Sequence, residues 1–581
     1  MNIMAEWDFP ACSVANATNR LQARAKSPSY CWVSNETAEV PFILEQAFQA
    51  ARNGLTVVGW VSFDAAPAFD SALTVRPAAG FPVALFAAFA EPQPAPTTGR
   101  GSYELTRPWA DALSDKGFAQ AMCEVRDAIA AGRYYQLNLT TRLHAAAQGD
   151  PYALYRSLKA LQPAGYCAYL ETPEWAVASL SPELFFDWDG QTIVTQPMKG
   201  TATPTTALDR GAAGLQASAK DRAENVMIVD LLRNDLARIA EPGSVEVPSL
   251  FDVQCLPTLL QMTSTVRART RPGTDLAAIF AALFPCGSVT GAPKVAALRD
   301  IARLEAQPRG LYCGAVGLIR PGGHATFNVA IRTPVWHKPT GTLTYGVGSG
   351  VTWYSDAMAE RREWAQKAHF LHRASAPFQL LETVRLEQGA CKRLSAHLQR
   401  LRTAAAHFGF PFDLPSIGAC VHALADTHPE GLWRVRLLLD RHGVCTTTIH
   451  PHQDTTGPQR CRLAPTPIRA PAEYLRFKTT WRRHYDDFQP ADSPWFDTLL
   501  YTEDQELSEF TRGNLVLEID GVKWTPVAMG QLLPGVLRAE ALAAETIREA
   551  VLPVQALQQA VRVWLINSLR GWVEIKLEQA I

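Results

Sequence analysis

The chain has 581 residues, 47% hydrophobic and 19% charged, which is too long for one core and too apolar for a disordered protein. Lys+Arg 55 against Asp+Glu 56 leaves a net charge of −1, so no global field draws it to nucleic acid or to an anionic membrane. The 11 cysteines form no C-x-x-C pair, no apolar run approaches a membrane span, and Met1–Pro10, with Glu6 and Asp8, lacks a signal pattern. A cytoplasmic protein with mostly buried free thiols, working on small molecules, is expected.

Residues 55–63 and 81–89 read as strands rich in β-branched and aromatic side chains, and 91–101 as a Pro/Gly-rich loop. A helix is predicted over Asp115–Ala131, stopped by Gly132. Strands follow near 134–143, 165–170, 175–179, 183–187 and 192–196. Many strands with few helices between them predict an α+β fold rather than a regular βαβ series. Over 218–239, Ile228, Leu231, Leu232, Leu236 and Ile239 recur at helical spacing, and another helix is predicted at 357–371. Beyond Arg373-Ala-Ser-Ala-Pro377 a strand, a turn at Gln388-Gly389 and a helix from Leu394 to Phe408 start afresh. The predicted domains are 1–373 and 374–581.

Two lysines stand out, Lys199 in Gln196-Pro-Met-Lys-Gly-Thr201 and Lys478 in Arg476-Phe-Lys-Thr-Thr480. A lysine attacks near neutral pH only when burial or a neighbouring cation lowers its pKa, and a solvated surface lysine is the ordinary alternative. Glu224 lies one turn before Ile228, and a carboxylate continuing an apolar stripe must be paired, protonated or metal-bound. Glu360 and Glu363 share a helix face and could add oxygens for the same hard cation, since magnesium needs few protein carboxylates when a substrate supplies its own. Glu183, after Ser181-Pro182, is a candidate general acid if it approaches Lys199. Arg332 ends a strand where a guanidinium can clamp a carboxylate, and Tyr312 with Gly346-Val-Gly348-Ser-Gly350 offers a phenol and close backbone approach. Gly287-Ser-Val-Thr-Gly-Ala-Pro-Lys294 lacks the spacing of a phosphate loop.

Pro197-Met-Lys-Gly-Thr201, Asp230-Leu-Leu-Arg-Asn-Asp-Leu236, Ser288-Val-Thr-Gly-Ala-Pro-Lys294, Arg309-Gly-Leu-Tyr-Cys-Gly314 and Glu360-x-x-Glu363 together resemble the chorismate-utilising enzymes over about 1–370. The resemblance implies a two-sheet β-sandwich core with flanking helices. Lysine in P-x-K-G-T, where anthranilate synthase has alanine, places the likeness in the aminodeoxychorismate synthase component I branch. It implies that Lys199 attacks C2 of chorismate while Glu183 protonates the departing C4 hydroxyl, and that ammonia then enters at C4 as the lysine leaves. Glu224 and Glu363, with Glu360 beside them, are implied as ligands of Mg2+. Tyr312, Arg332, Gly348 and Gly350 match positions that bind the pyruvyl carboxylate, and Thr290 is a further substrate-binding position. Two departures stand out: Ala202-Thr203-Pro204 follows where Arg-Pro-Arg is commoner, and Gln261 replaces a histidine linked to pyruvate elimination. No G-x-C-x-G nucleophile elbow with a following His/Glu pair is found, so ammonia is expected from a separate glutamine amidotransferase subunit or from solution.

From 378 onward, Leu381-Glu-Thr-Val-Arg385, His397-Leu-Gln-Arg-Leu401, Lys478-Thr-Thr480, Ser508-Glu-Phe-Thr-Arg-Gly-Asn514 and Leu533-Pro-Gly-Val-Leu-Arg538 resemble the fold-type IV aminotransferase and lyase family. The resemblance implies a two-subdomain, often dimeric, pyridoxal 5'-phosphate enzyme. Lys478 would carry the cofactor, Glu509 pair its pyridinium nitrogen, and Arg400 with the amides of Val536 and Leu537 hold its phosphate. Leu537 stands where relatives commonly have threonine or serine, and Thr383 matches a position near the substrate. Fusion to the first domain favours aminodeoxychorismate lyase, which would use the synthase's product and release p-aminobenzoate and pyruvate. The alternatives are a branched-chain or D-amino acid aminotransferase and a non-catalytic dimerisation module.

Overall fold

The computed structural model describes residues 2–11, 19–77, 80–95, 101–161, 165–202, 208–256, 259–375, 378–408, 410–441, 443–470, 472–489, 494–528 and 531–578. The chain divides into two compact units, Met1–Ala376 and Pro377–Ile581.

The first unit is built on two large antiparallel sheets, one of nine strands and one of ten. Their facing sides share one core. Ala5, Trp7 and Phe9 of the first sheet pack with Val58, Trp60, Leu85 and Ala87 of the second. The runs read as strands from their β-branched and aromatic content form Thr56–Val61 and Ala84–Phe89, both fully buried. The helix expected over 115–131 spans Asp115–Ala130, with the Ser114 hydroxyl capping the amide of Gly117. The strand expected at 134–143 runs longer, Gln136–Gly149, because it is paired on both sides, by Tyr103–Asp111 and Thr342–Val351. The helix Ala219–Ala237 buries Ile228, Leu232 and Leu236 and ends two residues before the expected 239. Residues 96–100 of the Pro/Gly-rich loop, and Thr203 and Pro204, lie outside the described residues.

In the second unit a four-stranded antiparallel sheet carries the helices Leu394–Phe408 and Leu414–Thr427, and an eight-stranded mixed sheet follows. Strand Leu380–Glu387 turns Val384 and Leu386 into a core with Val435, and Leu381 and Thr383 to a cavity. A backbone bond from the Leu381 amide to the Lys478 carbonyl, 2.9 Å, ties this strand to the segment that bears the lysine. Among the described residues no helix is long and apolar enough to cross a membrane.

Candidate active sites

In the first unit Glu183, Lys199, Glu224, Tyr312, Arg332, Gly348, Gly350, Glu360 and Glu363 line one cavity. Lys199 sits on the strand Met198–Ala202, held by pairing with Leu259–Arg269, and its Nζ donates to the Ser288 carbonyl at 3.3 Å. Glu183 is 4% exposed. Burial pushes its carboxyl pKa up against the opposing pull of the Ser288 hydroxyl, the Lys199 charge and the Met198 amide. Its Oε1 is buried with no hydrogen-bond partner among the described residues. A carboxyl held this way keeps its proton more readily than a solvated one, as a general acid beside the amine requires.

The strand Thr342–Val351 explains the glycine run. Gly346, Gly348 and Gly350 fall two apart on one face. A β-carbon on Gly346 would collide with the Tyr312 ring, and one on Gly350 would collide with the Gln136 amide and stand 3.1 Å from Lys199 Nζ. The Arg142 guanidinium lies 4.7 Å over the Tyr312 ring. Arg332 reaches the cavity from a left-handed backbone, φ 50°, a strain of about 1 kcal/mol or more for a non-glycine residue. Its guanidinium meets no carboxylate among the described residues, and burial lowers its pKa. It is therefore available to a substrate anion.

The three carboxylates come from two helices, Glu224 from Ala219–Ala237, Glu360 and Glu363 from Ala357–Ser375. The Ser349 hydroxyl donates to Glu360, Glu363 pairs with Lys367 at 2.6 Å, and Glu224 lies 4.0 Å from Lys220. Burial raises the Glu224 pKa; Lys199 and Lys220 oppose the rise, and the charge of Glu360 adds to it. Hard oxygen donors that repel each other across one cavity fit magnesium in kind. Among the described residues, however, no three His, Cys, Asp or Glu side chains stand close enough to hold a metal by themselves. Lys367 and Ser349 occupy Glu363 and Glu360, so an ion would draw on these groups together with substrate oxygens.

Thr290 does not line the cavity. Its hydroxyl turns back to the carbonyls of Cys286 and Gly287, 3.1 and 3.3 Å, while its neighbours Ser288 and Val289 face the opening. Lys294 is fixed by Asp235 at 3.1 Å and the Leu283 carbonyl at 3.2 Å, a structural role. Gln261 lines the cavity with its Oε1 unpartnered among the described residues. Ser288 contacts both Lys199 and Glu183, a role that its place in a loop motif did not reveal.

In the second unit Lys478, Glu509, Arg400, Val536 and Thr383 line a second cavity. Burial, then the Arg400 charge, pushes the Lys478 amine down to about 8. Burial pushes Glu509 up to about 8. Tyr485 donates to its Oε1 at 2.7 Å, the Leu533 amide at 3.1 Å, and Asn514 approaches Oε2 at 3.4 Å. Arg400 grips Glu382 with two bonds of 2.8 and 2.7 Å, and His397 adds a third contact at 2.7 Å. Glu382, 1% exposed, is driven down to about 2: burial opposes that fall, and the Arg400 charge and the His397 contact outweigh it. Arg400 and His397 are thus two arms of one buried carboxylate, not a surface pair. Sequence reasoning gave Glu382 and Tyr485 no role; only the motif Leu381-Glu-Thr-Val-Arg385 held a signal.

Helix Val536–Ala543 starts at Gly535, with no side-chain cap. Its first amides are therefore free to bind an anion. Leu537 does not line the cavity, because its side chain enters a core with Val516, Trp564 and Ile566. Only its amide can serve a phosphate. A lysine of lowered pKa, a buried carboxyl, an arginine and an open helix start fit pyridoxal phosphate in charge and in kind.

Among relatives, the chain is 38% identical over 286 residues to aminodeoxychorismate synthase component 1 of Klebsiella aerogenes, 48% of this chain and 62% of that one. It is 38% identical over 267 residues to anthranilate synthase component 1 of Streptomyces coelicolor, 45% of this chain and 52% of that one. The chain thus spans less than two thirds of these curated relatives. The structure of anthranilate synthase component I from Streptococcus pneumoniae TIGR4 shares the first unit's fold, with TM-score 0.51 and 22% identity over 64% of this chain and 92% of that one. Residues 379–577 match the class IV amino-transferases. Residues 7–373 match the chorismate binding enzymes, and the chain belongs to that family, with a class IV aminotransferase domain following in the same polypeptide.

Proposed function

We propose that the chain makes p-aminobenzoate in two steps, amination of chorismate at C4 and elimination of pyruvate from the product. The observation that supports this reading is one cavity lined by Lys199, by Glu183, whose carboxyl pKa burial pushes up, and by Arg332, whose guanidinium meets no carboxylate among the described residues. Lys199 attacks C2, the C4 hydroxyl leaves as water with the Glu183 proton, and ammonia attacks C4 as the lysine amine departs. Arg332 and Tyr312 hold the pyruvyl carboxylate. Glu224 and Glu363, with Glu360, would hold magnesium, whose charge would offset that of the ring carboxylate. Gln261 cannot act as acid or base, which suits a site that leaves pyruvate attached. Ammonia comes from a separate glutamine amidotransferase, and the work is done in the cytoplasm.

In the second cavity Lys478, Glu509, Arg400 and the amides of Val536 and Leu537 would hold pyridoxal phosphate, which supplies an electron sink once bound. Lys478 takes the proton from C4, the C3–O bond breaks, and pyruvate leaves as the ring becomes aromatic. Thr383 lines the same cavity.

Product analysis of the purified chain with chorismate, ammonium, magnesium and pyridoxal phosphate tests both steps. p-Aminobenzoate with equal pyruvate is expected. Accumulating aminodeoxychorismate would sink the lyase step, and amino-group exchange with a 2-oxo acid would make the second unit a transaminase.

A further inference from the structure

Beyond the groups that would hold the cofactor, the second cavity has a wall of guanidinium groups. Arg434 and Arg436 stand two apart on the strand Leu432–Leu439, hence on one face, opposite Arg385 and Thr383 of the neighbouring strand. Arg385 is already satisfied by Asp454 at 2.6 Å, Glu387 at 3.3 Å and the Leu569 carbonyl at 3.0 Å. Arg434 and Arg436 line the cavity and meet no carboxylate among the described residues.

Arg570, in the turn between Arg562–Asn567 and Gly571–Glu578, joins them on the cavity wall. It shares the Phe496 ring with Arg512, at 5.8 and 5.4 Å, and Arg512 is paired with Asp497 at 3.2 Å. Arg570 forms no ion pair of its own among the described residues. Burial and the charges of Arg512 and Arg434 disfavour its cation, with Asp497 alone opposing them. Burial makes the Arg570 cation costly until an anion arrives, while Arg434 and Arg436 stand exposed at the opening, where an entering anion can reach them.

An aliphatic side chain placed here would desolvate these cations and return nothing. Carboxylates would pair with them in the planar, two-bond manner that arginine favours. The cofactor phosphate has its own receptor in Arg400 and the helix start at Val536. We infer that Arg434, Arg436 and Arg570 recognise the two carboxylates of an amine-bearing diacid and so set the substrate class of the second unit. The inference rests on reading that unit as a pyridoxal phosphate enzyme and deepens it.

The test is calorimetric binding to the cofactor-loaded full chain of isophthalate, benzoate and 4-methyl-2-oxopentanoate. Isophthalate is expected to bind about tenfold more tightly than benzoate, one additional carboxylate contact being worth about that factor. Arg436→Gln and Arg570→Gln should each bring isophthalate towards the benzoate value with cofactor content unchanged; Arg436→Ala and Arg570→Ala should do the same. Equal affinity for the two aromatic acids, preference for 4-methyl-2-oxopentanoate, or full isophthalate affinity in all four variants would overturn the inference. The readout needs no turnover. A chain that makes no p-aminobenzoate yet prefers the diacid would lose the proposed reaction and keep the arginine wall, whereas one that makes it with no diacid preference would do the reverse.

Discussion

Lys199 and Lys478 both face a cavity from a strand or strand-like segment, yet their surroundings differ in sign. Lys199 lies near Glu183 and Glu224, and Lys478 near Arg400 and Arg482, with Glu382 and Glu509 in partial opposition. Acids beside an amine can exchange a proton as a leaving group departs. Guanidiniums beside a buried amine favour a lysine that has already shed its proton, as condensation with an aldehyde demands. Under the proposed function, the same residue type would serve two chemistries, set apart by burial and by the charges around it.

Exchanging each lysine for alanine breaks the comparison most sharply. Lys199→Ala should reduce consumption of chorismate with ammonia by about 10³-fold or more while pyridoxal phosphate still binds. Lys478→Ala should abolish covalent cofactor retention and leave that consumption intact. Chromatography of products and the cofactor's visible band check both. Next in size, Glu183→Gln should lower kcat/KM of the first step by about 10²–10³-fold, since a neutral amide cannot deliver the proton. Because burial raises the Glu183 pKa, the acid form persists above the usual carboxylate range, and the wild-type alkaline limb of kcat/KM should lie correspondingly high. Its disappearance in the variant is the check.

The fold class and the two lysines were legible, and most of the expected site residues do line a cavity, because short motifs bring their own spacing. Glu360 and Glu363 share a helix face by arithmetic, and Gly346, Gly348 and Gly350 share a strand face in the same way. What sequence hid are partnerships across long separations. Glu382 lies 18 residues from Arg400 in the chain, and nothing in its immediate neighbours says that it is buried beneath that arginine. Thr290 sits inside a matching motif, but its hydroxyl serves the turn that presents Ser288.

Glu382 sharpens the comparison in a second way, because it anchors the cation that, after burial, does most to depress Lys478. Glu382→Gln should weaken pyridoxal phosphate binding by about 100-fold, roughly 3 kcal/mol for breaking a buried pair. The carboxyl pKa falls from its ordinary 4.5 to about 2 on folding, so its stabilisation is present above pH 4.5 and lost as pH drops towards 2. Cofactor release on acidification in that window, moved or abolished in the variant, is the measurement. For Lys478 the sign is opposite. Below about pH 8 the amine is charged and unreactive, so cofactor uptake by the stripped chain should rise about tenfold per unit up to about 8 and then level off. A rise continuing to pH 10 would mean that the lysine is not buried beside Arg400.

The smallest effect concerns Leu537, which stands where relatives commonly have threonine or serine. The side chain packs with Trp564 and Ile566, so its identity bears on the core, while its backbone amide keeps its place near the helix start whatever the side chain. Leu537→Thr buries a hydroxyl and should destabilise the second unit by about 1–3 kcal/mol, while cofactor affinity stays within about twofold. Denaturant midpoints and a cofactor titration on the same preparation separate the two quantities. If the variant instead bound the cofactor about tenfold more tightly, the side chain would face the phosphate and the helix start would not suffice as its receptor.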